Sequence, residues 1–407
     1  MKNIAALTIC STNYLAKALV LFDSYRQHHA GQHFYILIVD RKNPEFIAPS
    51  DDVEIIWVED LPISNFNQVA FSFDVIEFNT NVKPTAMKLL LDKYDSVIYL
   101  DPDIEVFAPL TPVFDALETA SLVLTPHCNT PILDGCKPDD LEFMKFGTFN
   151  LGFVAVAQCE EGFAFLKWWE ARCLEHGFYE PQSGLAVDQK WVSLAPSYFS
   201  GLKILHDVGL NVAFWNLHER QLSFDGGRWL VNNTIPLKFI HFSSFDAANP
   251  QVVAQKQNRF APGSRPDFER AATVYAEKLI AAGSNSYAKA KYSFDYFDDG
   301  TYISPALRRY YAALRATLFP NVDNPFDATE DVKSFAKKNG LLVRGNIPAK
   351  RHNFHDMGSY GLQVSIINEL LKFCLYVVGP ERYFNLMRYM AHISSLRNQA
   401  ALFDKKQ

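Results

Sequence analysis

Asp101 and Asp103 close an apolar run, Val97-Ile98-Tyr99-Leu100, and stand two residues apart around Pro102. In an extended chain residues i and i+2 share a face, so two hard oxygen ligands stand side by side. That pairing suits a divalent cation, Mg²⁺ or Mn²⁺, holding a phosphorylated substrate. It also suits a strand-ending turn whose carboxylates cap the next segment. Context favours the cation. The β-branched and aromatic run reads as a strand buried on both faces, which puts the pair at the carboxyl edge of a parallel sheet, where open α/β sheets bind their ligands.

The surrounding elements support that placement. Residues 4–9, 33–39, 53–58 and 97–100 carry strand signals, and 15–28 and 84–91 carry helical spacing. Such alternation predicts a parallel sheet with crossover helices, and so an α/β fold. Helical spacing at 110–117 and a strand at 121–125 follow. The polar stretch 126–147 suits a substrate loop. A strand at 149–156, an aromatic-rich helix at 161–173, a helical segment at 184–194 and a strand at 238–242 come next, the last delivering His241. From 251 onward strand signals vanish. Helical patterns occupy 266–282, 304–317, 329–339 and 360–398, with loops expected at 283–303 and 340–358. The predicted division is therefore a catalytic domain over 1–250 and a mainly helical domain over 251–407.

Composition bounds the function. The 407 residues are 48% hydrophobic and 21% charged, as in folded globular proteins. The net charge of -6 hides an asymmetry: residues 1–250 hold 17 Lys+Arg against 31 Asp+Glu, and 251–407 hold 22 against 14. An acidic catalytic half is a poor binder of nucleic acid. The basic half could draw an anionic lipid, a diphosphate or a membrane surface, or be a solvated helical face. Six cysteines without metal-like spacing point to reduced, structural thiols. The N-terminus reads as a first strand without a cleavage pattern, and no run of 18 uninterrupted apolar residues occurs, so a spanning helix is not expected. The expected location is the cytoplasm, with peripheral contact at the inner membrane face.

Taken together, STNYL after the first strand, a lysine ahead of the acid pair, YLDPD, FNLGFVAV, VDQ and a late IHF occur in one order. This order resembles that of the GT-A glycosyltransferases, most closely family 8, which contains glycogenin and bacterial lipopolysaccharide galactosyl- and glucosyltransferases. The resemblance covers about residues 1 to 245. It implies a Rossmann-like, mostly parallel mixed sheet with flanking helices, followed here by a helical region. It further implies that Asp101, Asp103 and His241 hold Mn²⁺ or Mg²⁺. Thr8, Thr12, Asn13 and Asp40 would meet the base and ribose of a nucleotide-sugar donor. Lys83 would reach its sugar or phosphate, and Asn150 and Gly152 would let a sugar approach the backbone. Asp188 and Gln189 would lie beside the anomeric carbon as catalytic residues. The glycine and lysine that follow the histidine in that family are replaced by Ser243, Ser244 and Phe245, so the diphosphate is expected to draw on Lys256 or Arg259, or on no lysine at all.

The implied reaction is transfer of a sugar, from a UDP-linked donor, to a hydroxyl of a glycan, glycolipid or lipid-linked acceptor, with retention. Two rivals stay open at this point. One is a catalytically silent nucleotide-sugar-binding scaffold in a surface-polysaccharide assembly. The other is a phosphatase with an Asp nucleophile, whose motif belongs on the first strand and carries Thr or Val where this chain has Glu105. Nucleotidyltransferases share the fold, but the chain lacks their Gly-rich basic N-terminal loop.

Overall fold

A computed structural model describes residues 3–50, 52–343 and 361–403. Its main sheet has seven strands. β1 (Ile4–Cys10), β2 (His33–Ile38), β3 (Glu54–Trp57) and β4 (Ser96–Leu100) run parallel in the order β4-β1-β2-β3. After β4 comes the short β5 (Ile104–Val106), which leaves this sheet. β6 (Leu122–Pro126) and β7 (Phe149–Ala157) extend the main sheet beyond β4, with β7 antiparallel to both neighbours. The edge strand Leu202–Ile204 lies parallel to β6.

The mixed, mostly parallel sheet with flanking helices is the α/β architecture expected from the alternation of elements, and a helical C-terminal region is present. Every residue of β1 and β4 is buried. Such continuous apolar runs belong to strands covered on both faces. The helix Leu15–His28 covers one face through Leu15, Ala18, Leu21, Phe22 and Tyr25, which recur at helical spacing.

This topology brings several chain segments to one edge. The chain leaves β1 into Ser11–Asn13, leaves β2 into Asp40 and leaves β4 into Asp101. Because β7 runs the other way, its first residues meet the same edge, and Asp101 N–H donates to Gly152 O at 2.7 Å. The strand Phe239–His241 pairs antiparallel with β5, placing His241 opposite Ile104.

The chain separates into two compact units: Met1–Phe66 with Val75–Phe294, and Asn67–Asp74 with Asp295–Gln407. Thus the units part after 294, whereas the sequence suggests 250. The helix Pro266–Ala281 accounts for the difference. Its buried face contributes Tyr275, which stacks on Phe242 at 4.0 Å and 7°, directly after His241. Amphipathic spacing alone cannot say which core a helix faces.

In the second unit the helix Pro305–Leu318 starts at Ser304, whose hydroxyl accepts from Leu307 N–H. Its buried Arg308 donates to the carbonyls of Ala70, Phe71 and Phe73 and pairs with Asp295 at 3.0 Å. The expected helix over 360–398 is two helices, Gly361–Val378 and Pro380–Ile393. Gly379 adopts a φ of 79 between them, and Pro380 opens the second. The first is long and apolar enough, by length and composition, to cross a membrane, which corrects the expectation that no such helix occurs. Its apolar residues are interrupted by Gln363, Ser365, Asn368, Glu369 and Lys372, so a search for an unbroken run passes over it. The basic segment expected as a loop at 340–358 lies mostly outside the described residues.

Candidate metal centre

Tyr99, Asp101 and Asp103 fall on alternate positions, and the structure uses all three. Asp101, Asp103 and His241 bring ligand atoms within 4.8 Å of one another. His241 Nε2 lies 3.0 Å from Asp103 Oδ1 and 3.6 Å from Asp101 Oδ2. Tyr99 O–H donates to Asp101 Oδ1 at 2.5 Å. Both aspartates keep partial solvent access while His241 is buried.

The histidine is aimed by its surroundings. Asn150 Oδ1 lies 3.1 Å from His241 Nδ1 and accepts from Asn211 Nδ2, which also donates to Thr125 Oγ1. A carboxamide oxygen only accepts, so Nδ1 carries a hydrogen toward Asn150 and Nε2 is the ring nitrogen turned to the carboxylates. Trp215 packs edge-on against the ring at 5.3 Å. Gly152 leaves the space: a Cβ there would lie 2.4 Å from His241 Cε1 and 2.8 Å from Asn150 Oδ1. Two carboxylates and one oriented imidazole are a donor set that fits Mn²⁺ or Mg²⁺.

Charge is balanced around the trio. Burial raises the Asp103 carboxyl, but His241 and Lys17 outweigh it and hold it well below the usual carboxylate range. Burial likewise lowers His241, yet Asp103 and Asp101 carry it above the ordinary imidazole value. Lys17 Nζ sits 3.9 Å from Asp103 Oδ2 and 4.4 Å over the Tyr14 ring. Sequence reading passes over this lysine because it lies inside the first helix, far in sequence from the acid pair.

Lys83 and Asp188 form a buried ion pair at 2.6 Å. The ammonium also donates to Leu151 O at 2.8 Å and sits 4.1 Å over the Tyr99 ring. Trp169 Nε1 donates to the backbone carbonyl of Asp188 at 2.9 Å. Burial pushes the Asp188 carboxyl up, opposed by Lys83. Tyr99 therefore joins two acidic positions. Its hydroxyl serves Asp101 and its ring face serves the cation that neutralises Asp188.

Other expected site residues are engaged within the protein. Gln189 Oε1 accepts from Leu151 N–H and its Nε2 donates to Phe146 O, so the carboxamide ties β7 to the helix Asp140–Phe146. The segment expected as a helix over 184–194 is helical only at Gln189–Val192, after a two-residue strand. Asp40 Oδ2 accepts from the Thr12 N–H and hydroxyl at 2.8 Å each, and Oδ1 accepts from the Ser293 N–H and hydroxyl at the same distance. Asn13 Oδ1 accepts from Ser11 Oγ. Thr8 is sealed inside β1 and its hydroxyl has no partner among the described residues. Asn150 and Gly152, expected beside a sugar, orient and accommodate His241. Arg259, expected near a diphosphate, donates to Asp134 and to the carbonyls of Cys136 and Pro138, while its Nη1 has no hydrogen-bond partner among the described residues.

No family model matches the chain. It is similar to two Bacillus subtilis (strain 168) proteins. YfnD is 27% identical over 249 residues, covering 58% of this chain and 76% of that protein. YfnF is 23% identical over 282 residues, covering 68% and 91%. Among solved structures it is similar to the galactosyltransferase LgtC in complex with donor and acceptor sugar analogs, at 16% identity and a TM-score of 0.39, over 68% of this chain and 95% of that one. The glycosyltransferase GlyE of Streptococcus pneumoniae TIGR4 is similar at 16% identity and a TM-score of 0.39, over 73% and 67%. Mouse xyloside xylosyltransferase 1 is similar at 12% identity and a TM-score of 0.36, over 60% and 97%.

Proposed function

We propose that this protein is a metal-dependent glycosyltransferase of the GT-A type, moving a sugar from a UDP-linked donor to a hydroxyl of a glycan or glycolipid with retention. The observation that carries the reading is the oriented Asp101, Asp103 and His241 set at the carboxyl edge of the sheet, beside the buried Lys83–Asp188 pair. When bound there, Mn²⁺ or Mg²⁺ would supply positive charge to the donor's phosphate oxygens and ease departure of the diphosphate.

The chain's own residues prepare that site. His241 must shed a proton from Nε2 to act as a ligand, and Asn150 holds the tautomer that leaves this nitrogen free. Tyr99 fixes Asp101 through its hydroxyl, and burial keeps that phenol protonated as a donor. Lys17 adds a cation 3.9 Å from Asp103 Oδ2. Asp188, whose charge Lys83 balances at 2.6 Å, would orient the donor sugar beside the anomeric carbon. With retention, the departing phosphate oxygen takes the acceptor's proton, so no strong base is required of the chain.

The test is thermal stabilisation by UDP, GDP, CDP and ADP, each with Mn²⁺, Mg²⁺ or EDTA. A ligand at 100 times its Kd should add roughly 2.7 kcal/mol. A shift with one nucleotide, only with metal, supports the reading; no shift with any of them overturns it. A second reading, a silent nucleotide-sugar-binding scaffold, is favoured by one observation: both ends of the Gln189 carboxamide are engaged by the backbone. Slow metal-dependent hydrolysis of the donor would exclude it.

A further inference from the structure

The helices Gly361–Val378 and Pro380–Ile393 contain no buried residue. They meet along a narrow seam of half-buried side chains, with Val364, Leu371, Cys374 and Val378 on the first and Tyr383 and Met387 on the second. The wider apolar face is left open. Ile366 is 54% exposed, Phe373 66%, Val377 62% and Phe384 60%. An unpartnered apolar surface of this kind marks an interaction site.

Charge decides between occupants. The described residues 361–403 carry four Lys+Arg against two Asp+Glu. Within the hairpin Lys372 is paired with Glu369 at 2.6 Å, which leaves Arg382 and Arg388 opposed by Glu381 alone. A second copy meeting it through the same face would set these arginines against one another. An anionic lipid surface would be attracted to the basic residues close to it. The polar positions also decide the depth. At 1.5 Å per residue the first helix is about as long as the bilayer's hydrocarbon core is thick. However, the Glu369–Lys372 pair lies in its middle, and the second helix of 14 residues is too short and too charged to return.

We propose that this helical hairpin docks on the surface of an anionic lipid bilayer, lying in the interface with its apolar face among the acyl chains and its arginines at the headgroups. The mode is that of interfacial amphipathic helices, with burial and charge acting together. It is independent of the reading of the metal centre.

The test is co-sedimentation of the full chain with vesicles of phosphatidylcholine alone or mixed with phosphatidylglycerol, at low and high salt. The full chain should pellet with the mixed vesicles and be released as salt rises. Reversing charge with Arg382→Glu and Arg388→Glu should remove the preference for phosphatidylglycerol. Ile366→Asp, Phe373→Asp and Val377→Asp together should lower binding by about ten-fold or more. Helicity and melting temperature are measured in parallel, and Phe373→Ser alone serves if the triple variant loses structure. The proposal is overturned if the full chain stays in the supernatant with mixed vesicles at low salt. It is equally overturned if the apolar variants bind undiminished, or if they dissolve a dimer without changing vesicle binding.

Discussion

Lys83 Nζ lies 2.6 Å from Asp188 Oδ2, and both side chains are almost wholly out of water. Deleting one member of such a pair leaves an uncompensated buried charge, at a cost of about 3–5 kcal/mol. Lys83→Met should therefore lower stability by an amount of that order in urea unfolding, and Asp188→Leu should do the same. The double variant Lys83→Met, Asp188→Leu should recover most of the loss. If the two single losses simply add, the charges do not sense one another and the pairing is misassigned.

Asp188→Asn separates chemistry from binding. The carboxamide keeps the shape but removes the charge beside the Lys83 ammonium. Under the glycosyltransferase reading, turnover should fall by about 10² or more while metal-dependent UDP affinity changes little. Near-normal turnover with equal donor binding would take Asp188 out of the reaction.

The close approach of Gly152 to His241 makes a third prediction. A Cβ at 152 would sit 2.4 Å from His241 Cε1 and 2.7 Å from Nδ1, too near for either to stay. Since His241 is also held by Asn150 and Trp215, Gly152→Ala should tilt the ring and misplace Nε2. Mn²⁺ affinity measured by calorimetry should drop about ten-fold or more, the usual scale for disturbing a ligand's supporting contacts. Unchanged affinity would mean that His241 is not a ligand.

Much of this centre was legible because strand parity is rigid. Asp101 and Asp103 share a face by their spacing alone, and Tyr99 joins them by the same rule, although its hydroxyl partner appears only in the structure. The alternation of elements likewise led to the sheet and to the edge where the pair sits. What spacing cannot carry is the partner a polar group chooses. Gln189 and Asp40 have the residue types of ligand contacts, yet both spend their oxygens on the protein's own N–H and O–H groups. Lys17 meets Asp103 only because the first helix folds over the edge. The hairpin after Gly361 escaped for a related reason: scattered polar residues hide an apolar surface that only three-dimensional exposure reveals.

Lys17 should have opposite effects on two ligands. Its ammonium, 3.9 Å from Asp103 Oδ2, competes with a bare divalent cation for that carboxylate. Lys17→Gln should therefore tighten binding of Mn²⁺ alone. In the presence of metal the same change should weaken UDP binding, because the diphosphate loses a cation in a place where Ser243, Ser244 and Phe245 offer none. If both affinities fall together, Lys17 supports the site structurally and does not act by charge.

His127 gives the fold an acid limit. Burial lowers its pKa to about 4, and the ring stacks on Phe143 at 5.0 Å with its Nδ1 lacking a hydrogen-bond partner among the described residues. Burial also lowers His29 to about 4, where Nε2 accepts from Leu110 N–H and so must stay unprotonated. For a histidine depressed in the folded state, the unfolded chain takes up the proton first. Stability from the neutral ring is thus complete above the unfolded value of 6.5 and is lost as pH falls from there toward 4. For His127 the loss is on the order of 3 kcal/mol. His127→Phe keeps a flat ring against Phe143 and removes the proton site, so its unfolding free energy should decline less between pH 7 and pH 4 than that of the parent chain. Parallel declines in the two proteins would show that His127 is already solvated or charged in the folded state.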